Sequence, residues 1–136
     1  MDILEFLEKR AKPCKEDRQH KKLLDNIISN LPFIGINDHQ YIFREVIIPN
    51  GRVDLIVLTD EIYLIEAKVL RSHNSKSNAT NELNRQLRKA YDFFLSEYNI
   101  SCNMVGVFRN KGSSRFNSYR LDKPIEHLLY SANFIA

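Results

Sequence analysis

Asn50–Val69, NGRVDLIVLTDEIYLIEAKV, is the stretch whose reading decides the fold. It reads as a β-hairpin. Val53–Leu58 and Ile62–Val69 are rich in Val, Ile, Leu and Tyr, and Thr59-Asp60-Glu61 is the polar break between them. With the turn centred on Asp60, Leu58 faces Ile62, Ile56 faces Leu64, and Asp54 faces Glu66. Directly opposed side chains have Cβ atoms about 4.5–5.5 Å apart, where like charges are destabilising. Two acids facing each other across apolar strands therefore need a positive partner. Lys68, two residues beyond Glu66, falls on the same strand face, next to the pair. Two carboxylates and an ammonium among apolar neighbours suggest a divalent-metal site, because hard oxygen ligands suit Mg²⁺ and an unpaired buried charge is costly.

Upstream of the hairpin, Pro49-Asn50-Gly51 supplies an Asn-Gly turn, and Tyr41–Ile48 before it reads as a strand, so three strands form a meander. The third strand is apolar on both sides, with Tyr63, Ile65, Ala67 and Val69 on one and Ile62 and Leu64 on the other, the pattern of a central strand. Further back, Lys15–Asn30 is expected to be a helix with Leu23, Leu24, Ile27, Ile28 and Leu31 as its apolar stripe, stopped at Leu31-Pro32. His20 projects onto the middle of that stripe and Glu16 onto its flank. These two polar groups either mark the start of an amphipathic helix or reach into a site. Asp2–Arg10 reads as a short helix ending before Pro13.

Downstream, Arg71–Thr80 is polar and reads as a loop. Asn81–Tyr98 is expected to be a long helix with Leu83, Leu87, Ala90, Tyr91, Phe94 and Tyr98 on one face and Gln86 at its edge. Cys102–Arg109 reads as a further buried strand, followed by the turn-rich basic segment Asn110–Arg115. Pro124–Tyr130 reads as a short closing helix.

A chain of 136 residues with 43% apolar and 27% charged residues suits one domain with a real core, and argues against disorder and against a membrane span. The opening Met1-Asp2-Ile3-Leu4-Glu5 carries acids where a secretory signal has a basic region, so an intracellular protein is expected. Cys14 and Cys102 lack metal-ligand spacing and do not suggest a disulfide framework. The net charge of +3 conceals an asymmetry: residues 1–67 hold nine Lys/Arg against twelve Asp/Glu, whereas residues 68–120 hold ten against three. The second half is either a solvated basic face or a phosphate-facing surface. On the latter reading Arg85, Arg88, Lys89, Arg109, Lys111 and Arg115 are the candidate phosphate contacts, with Phe116 and Tyr119 as stacking residues.

The order helix, three-stranded meander, helix, strand, with Asp54 followed by Glu66-Ala67-Lys68, resembles the PD-(D/E)XK nuclease superfamily across roughly residues 15–110. Val53 stands where the family name has proline, a residue without a chemical task. The resemblance implies an α/β (α+β) restriction-endonuclease-like fold, with an αβββαβ core and a central mixed sheet flanked by helices. It implies that Asp54 and Glu66 bind metal, that the Ala67 carbonyl is a further ligand, and that Lys68 orients water or stabilises charge. Glu16 or His20 would be the helix contribution. A histidine there, followed by Gln86 and Tyr91 on the later helix, is similar to the RecB-like branch, although these two are five apart where that pattern has four. The implied activity is Mg²⁺- or Mn²⁺-dependent phosphodiester hydrolysis by an endonuclease, with DNA favoured over RNA. The alternatives are a homodimer like the Holliday-junction resolvases and a non-cleaving nucleic-acid-binding module of the same fold.

Overall fold

The computed structural model describes residues 2–11, 18–71 and 76–124. Its elements are α1 (Ile3–Arg10), α2 (Arg18–Ser29), a 3₁₀ turn (Leu31–Ile34), β1 (Tyr41–Ile48), β2 (Gly51–Leu58), β3 (Ile62–Leu70), α3 (Lys76–Tyr98), β4 (Asn103–Asn110) and β5 (Asn117–Leu121). The strands form one sheet in the order β1-β2-β3-β4-β5. β3 and β4 run parallel, joined across α3, and the other neighbours are antiparallel. The fold is therefore α+β, a mixed five-stranded sheet flanked by helices, and α2-β1-β2-β3-α3-β4 is the expected αβββαβ order.

Each apolar stripe finds its own face of the sheet. On one side α1 and α3 set Phe6, Leu7, Leu87, Ala90, Tyr91 and Phe94 against Phe43, Val46, Ile48, Val53, Ile56, Leu64 and Met104. On the other, α2 and the 3₁₀ turn set Leu23, Leu24, Ile27, Leu31 and Ile34 against Leu55, Val57, Tyr63, Ile65, Ala67, Val105 and Val107. β3 serves both layers and lies at the centre, as its two apolar faces suggest. Cys102 is buried in the α1–α3 layer, and burial pushes its thiol up to about 12.

Several local expectations shift. The turn before β2 comes one residue early: Ile48 pairs with Gly51, so Pro49-Asn50 is the loop and Gly51 is already in the strand. α3 begins at Lys76 rather than Asn81, because Ala79 buries against Leu70 and Phe108 and the Thr80 hydroxyl donates to the Lys76 carbonyl at 2.8 Å. That tertiary anchor overrides the loop-like composition of the segment. β5, Asn-Ser-Tyr-Arg-Leu, has too little apolar alternation to announce itself. It pairs with β4, where Tyr119 lies over Gly106 and donates its hydroxyl to Asn84 Oδ1 at 2.7 Å. Glu16 and the closing helix expected beyond Pro124 lie outside the described residues. Among the described residues no helix is long and apolar enough to cross a membrane.

Candidate metal centre

Side-chain alternation in β1 and β2 slips at one shared position. Leu55 and Val57 face α2 and Ile56 faces α3, so strict alternation would put Val53 with Leu55; instead Val53 joins the α3 side. In β1, Phe43, Val46 and Ile48 all join the α3 side, although Phe43 and Val46 are three residues apart. The register itself is unbroken, with Arg44 opposite Leu55 and Val46 opposite Val53. The slip therefore falls on the pair between them, Glu45 and Asp54. Glu45 has φ 51°, a left-handed backbone that is uncommon for a residue with a Cβ.

The consequence is that both carboxylates reach His20 on α2. His20 Nε2 is 3.3 Å from Asp54 Oδ1 and 3.7 Å from Glu45 Oε1. α2 is held in place for this from two sides. Arg44 binds Asp25 at 2.6 Å, and Arg109 donates to the carbonyl and Oε1 of Gln19 at 3.3 and 3.1 Å.

β2 and β3 pair in the expected register from Leu58–Ile62 to Leu55–Ile65, and there the ladder stops. Beyond it the Asp54 amide donates to Glu66 Oε1 at 3.2 Å, and the Ala67 amide donates to Asp54 Oδ2 at 2.8 Å. Each carboxylate thus caps a backbone N–H of the other strand. The expected neutraliser does something else: the Lys68 ammonium donates to Glu82 on α3. Glu66 is 2% exposed. Burial, and after it the charge of Asp54, raises its carboxyl well above the ordinary range.

His20, Glu45 and Asp54 each offer a ligand atom, all lying within 4.8 Å of one another. An imidazole nitrogen with two carboxylates is a donor set that could hold a divalent cation. Of the ligands the resemblance implies, Asp54 and His20 are in this group and Glu16 lies outside the described residues, whereas Glu66 and Ala67 adjoin the group through their bonds to Asp54. Glu45 was not legible as a site residue. A two-residue loop on Asn50-Gly51 would set Asp54 opposite Ile47; the loop on Pro49-Asn50 sets it opposite Glu45.

Asp54 opens onto a cavity of about 600 Å³ that is also lined by His20, Ala67, Lys68, Glu82 and Gln86. Arg18, Arg52, Arg71 and Lys111 give its walls a positive character. An adjoining cavity of about 360 Å³ shares Arg52, Asp54 and Gln86, and adds Glu66, Arg85 and Lys89. Of the expected phosphate contacts, Lys111, Arg85 and Lys89 thus line these cavities. Arg88 and Arg115 are exposed but line neither, and Arg109, only 7% exposed, is committed to Gln19. Tyr91 is fully buried with its hydroxyl on Ser101, away from the cavity-lining residues. Phe116 rests half-buried on the α2-side core and Tyr119 is held over Gly106, so neither ring stands out as a stacking platform.

No family model matches the chain, and no curated protein matches it. Among solved structures it is similar to a repair endonuclease from Pyrococcus abyssi, at 19% sequence identity and a TM-score of 0.42. The similarity covers 89% of this chain and 46% of that one, so the chain spans about half the length of that protein.

Proposed function

We propose that this protein is a metal-dependent nuclease, a DNA endonuclease using Mg²⁺ or Mn²⁺. The reading is carried by the meeting of His20, Glu45 and Asp54, of which His20 and Asp54 line a cavity that Arg18, Arg52, Arg71 and Lys111 also line. Phosphodiester hydrolysis needs an activated water and compensation of charge on the phosphoryl oxygens. A divalent cation held by His20, Glu45 and Asp54 would supply both, by lowering the pKa of a bound water and by drawing off negative charge.

The remaining work falls to the chain itself. The Ala67 amide fixes Asp54 Oδ2, leaving Oδ1 turned toward His20. Glu66 holds the Asp54 amide from behind and adds a second acid to the floor. Lys68 brings an ammonium into the same cavity, steadied by Glu82, where it adds positive charge for a phosphate. Gln86 lines both cavities and is placed to hydrogen-bond a substrate or a water. Arg71 and Lys111 on one side and Arg85 and Lys89 on the other supply phosphate contacts to a chain running through. The preference for DNA comes from the resemblance to the PD-(D/E)XK nucleases, as does a paired, junction-cutting form.

A non-cleaving nucleic-acid-binding module is the competing reading, favoured by the engagement of Lys68 with Glu82. Incubation with linear duplex, circular and single-stranded DNA and with RNA, in Mg²⁺, Mn²⁺ or EDTA, separates the two. Cleavage of circular DNA that EDTA abolishes is the expected result. Binding to every substrate without cutting in any metal establishes the module instead.

A further inference from the structure

We propose that Arg52 is an exchangeable counter-ion. It pairs with Glu45 when no metal is held and turns to a substrate phosphate when one is, so that metal binding switches on nucleic-acid binding. The inference rests on the metal-dependent nuclease reading and extends it to a residue with no assigned role.

Glu45 is an anion with few options. Its side chain is 3% exposed, and among the described residues neither carboxylate oxygen accepts a hydrogen bond. Its charge is met instead by Arg52, whose Nε lies 2.8 Å from Oε2, while His20 Nε2 stands 3.7 Å from Oε1. A buried carboxylate without compensation is costly, so while the metal space is empty Arg52 is the compensating charge. Its own side chain is 42% exposed and lines both cavities.

A divalent cation between His20, Glu45 and Asp54 removes the need for that pairing. It also repels the guanidinium, since both positive charges then lie on one carboxylate. A long, partly solvated side chain at the junction of the two cavities has somewhere to go. The anion that reaches that junction in a nuclease is a backbone phosphate, and a guanidinium fork suits it.

The exchange predicts effects of opposite sign. Mn²⁺ binding is read by calorimetry, and binding of a fluorescein-labelled DNA oligonucleotide by anisotropy, with Ca²⁺ or without metal. Arg52→Met should bind Mn²⁺ about fivefold more tightly, the size of a partly exposed ion pair that no longer competes. The same variant should bind DNA more weakly in Ca²⁺, with a salt dependence shallower by roughly 0.7–0.9 in log–log slope, one phosphate contact. Glu45→Gln, close in shape and uncharged, should raise metal-free DNA affinity, because the carboxylate no longer holds the guanidinium. Parallel loss of Mn²⁺ and DNA affinity in Arg52→Met, or no change in metal-free DNA affinity in Glu45→Gln, would make Arg52 a fixed brace and overturn the exchange alone. Wild-type protein that takes up no Mn²⁺ overturns both the exchange and the nuclease reading.

Discussion

Asp54 and Glu66 hold each other's strands. The amide of Asp54 donates to Glu66 Oε1 at 3.2 Å, and Asp54 Oδ2 takes the amide of Ala67, the residue after Glu66, at 2.8 Å. The two acids are therefore not interchangeable in their effect on stability. Asp54→Ala leaves the buried Ala67 N–H without its acceptor, at a cost of about 1–3 kcal/mol. Glu66→Gln keeps an acceptor for the Asp54 amide and removes a like charge, so stability should hold or rise. Cleavage should be lost in both. Chemical denaturation of the two variants checks the asymmetry.

The raised carboxyl of Glu66 gives stability a pH dependence with a definite sign. Its folded pKa lies above the ordinary 4.5, chiefly through burial and secondly through the charge of Asp54. Between the unfolded and the folded pKa the native chain keeps a proton that the unfolded chain has released. The stability of metal-free protein should therefore fall as pH rises through that window, and Glu66→Gln should flatten the fall. Melting curves of metal-free wild type and variant from about pH 5 to pH 8 show whether their difference widens as the slope relation requires.

Metal choice should depend on His20. An imidazole nitrogen is a better ligand for first-row transition ions such as Mn²⁺ than for Mg²⁺, which prefers oxygen. His20→Ala should therefore weaken Mn²⁺ binding by a larger factor than Mg²⁺ binding. EDTA should reverse the thermal stabilisation that either ion confers on the wild type. Calorimetric titration of both ions into both proteins is the measurement.

Gly106 keeps β5 in place by having no side chain. A Cβ there would come within 2.3 Å of the Tyr119 ring. In Gly106→Ala the ring must move off β4 and give up its hydrogen bond to Asn84, a loss of about 1–3 kcal/mol by overpacking. Urea unfolding should show a lower midpoint with an unchanged slope.

Much of this architecture was legible because it rests on local periodicity. The turn centred on Asp60 correctly sets Leu58 opposite Ile62, and the two apolar faces of Ile62–Val69 place β3 at the centre. The facing of Asp54 and Glu66 follows from the same count, although amides rather than Lys68 relieve it. What stayed hidden depends on long-range placement or on a broken period. Glu45 is an acid in an ordinary-looking strand, and it joins the site only through a one-residue turn shift and a backbone twist. The partner of Lys68 depends on where α3 lies, and β5 exists because β4 offers it an edge. Arg109 looks in sequence like a surface cation, yet in the fold it fastens the residue before His20.

The left-handed backbone at Glu45 sets thermostability against activity at a single codon. A residue with a Cβ pays roughly 1–2 kcal/mol to adopt φ 51°, whereas glycine sits there without penalty and asparagine at reduced cost. A library selected only for resistance to heat should therefore drift toward glycine or asparagine at this position and lose a carboxylate from the centre. Selection that also demands activity should hold the glutamate, and the gap between the two outcomes measures how much robustness the chain gives up to keep that side chain turned toward His20.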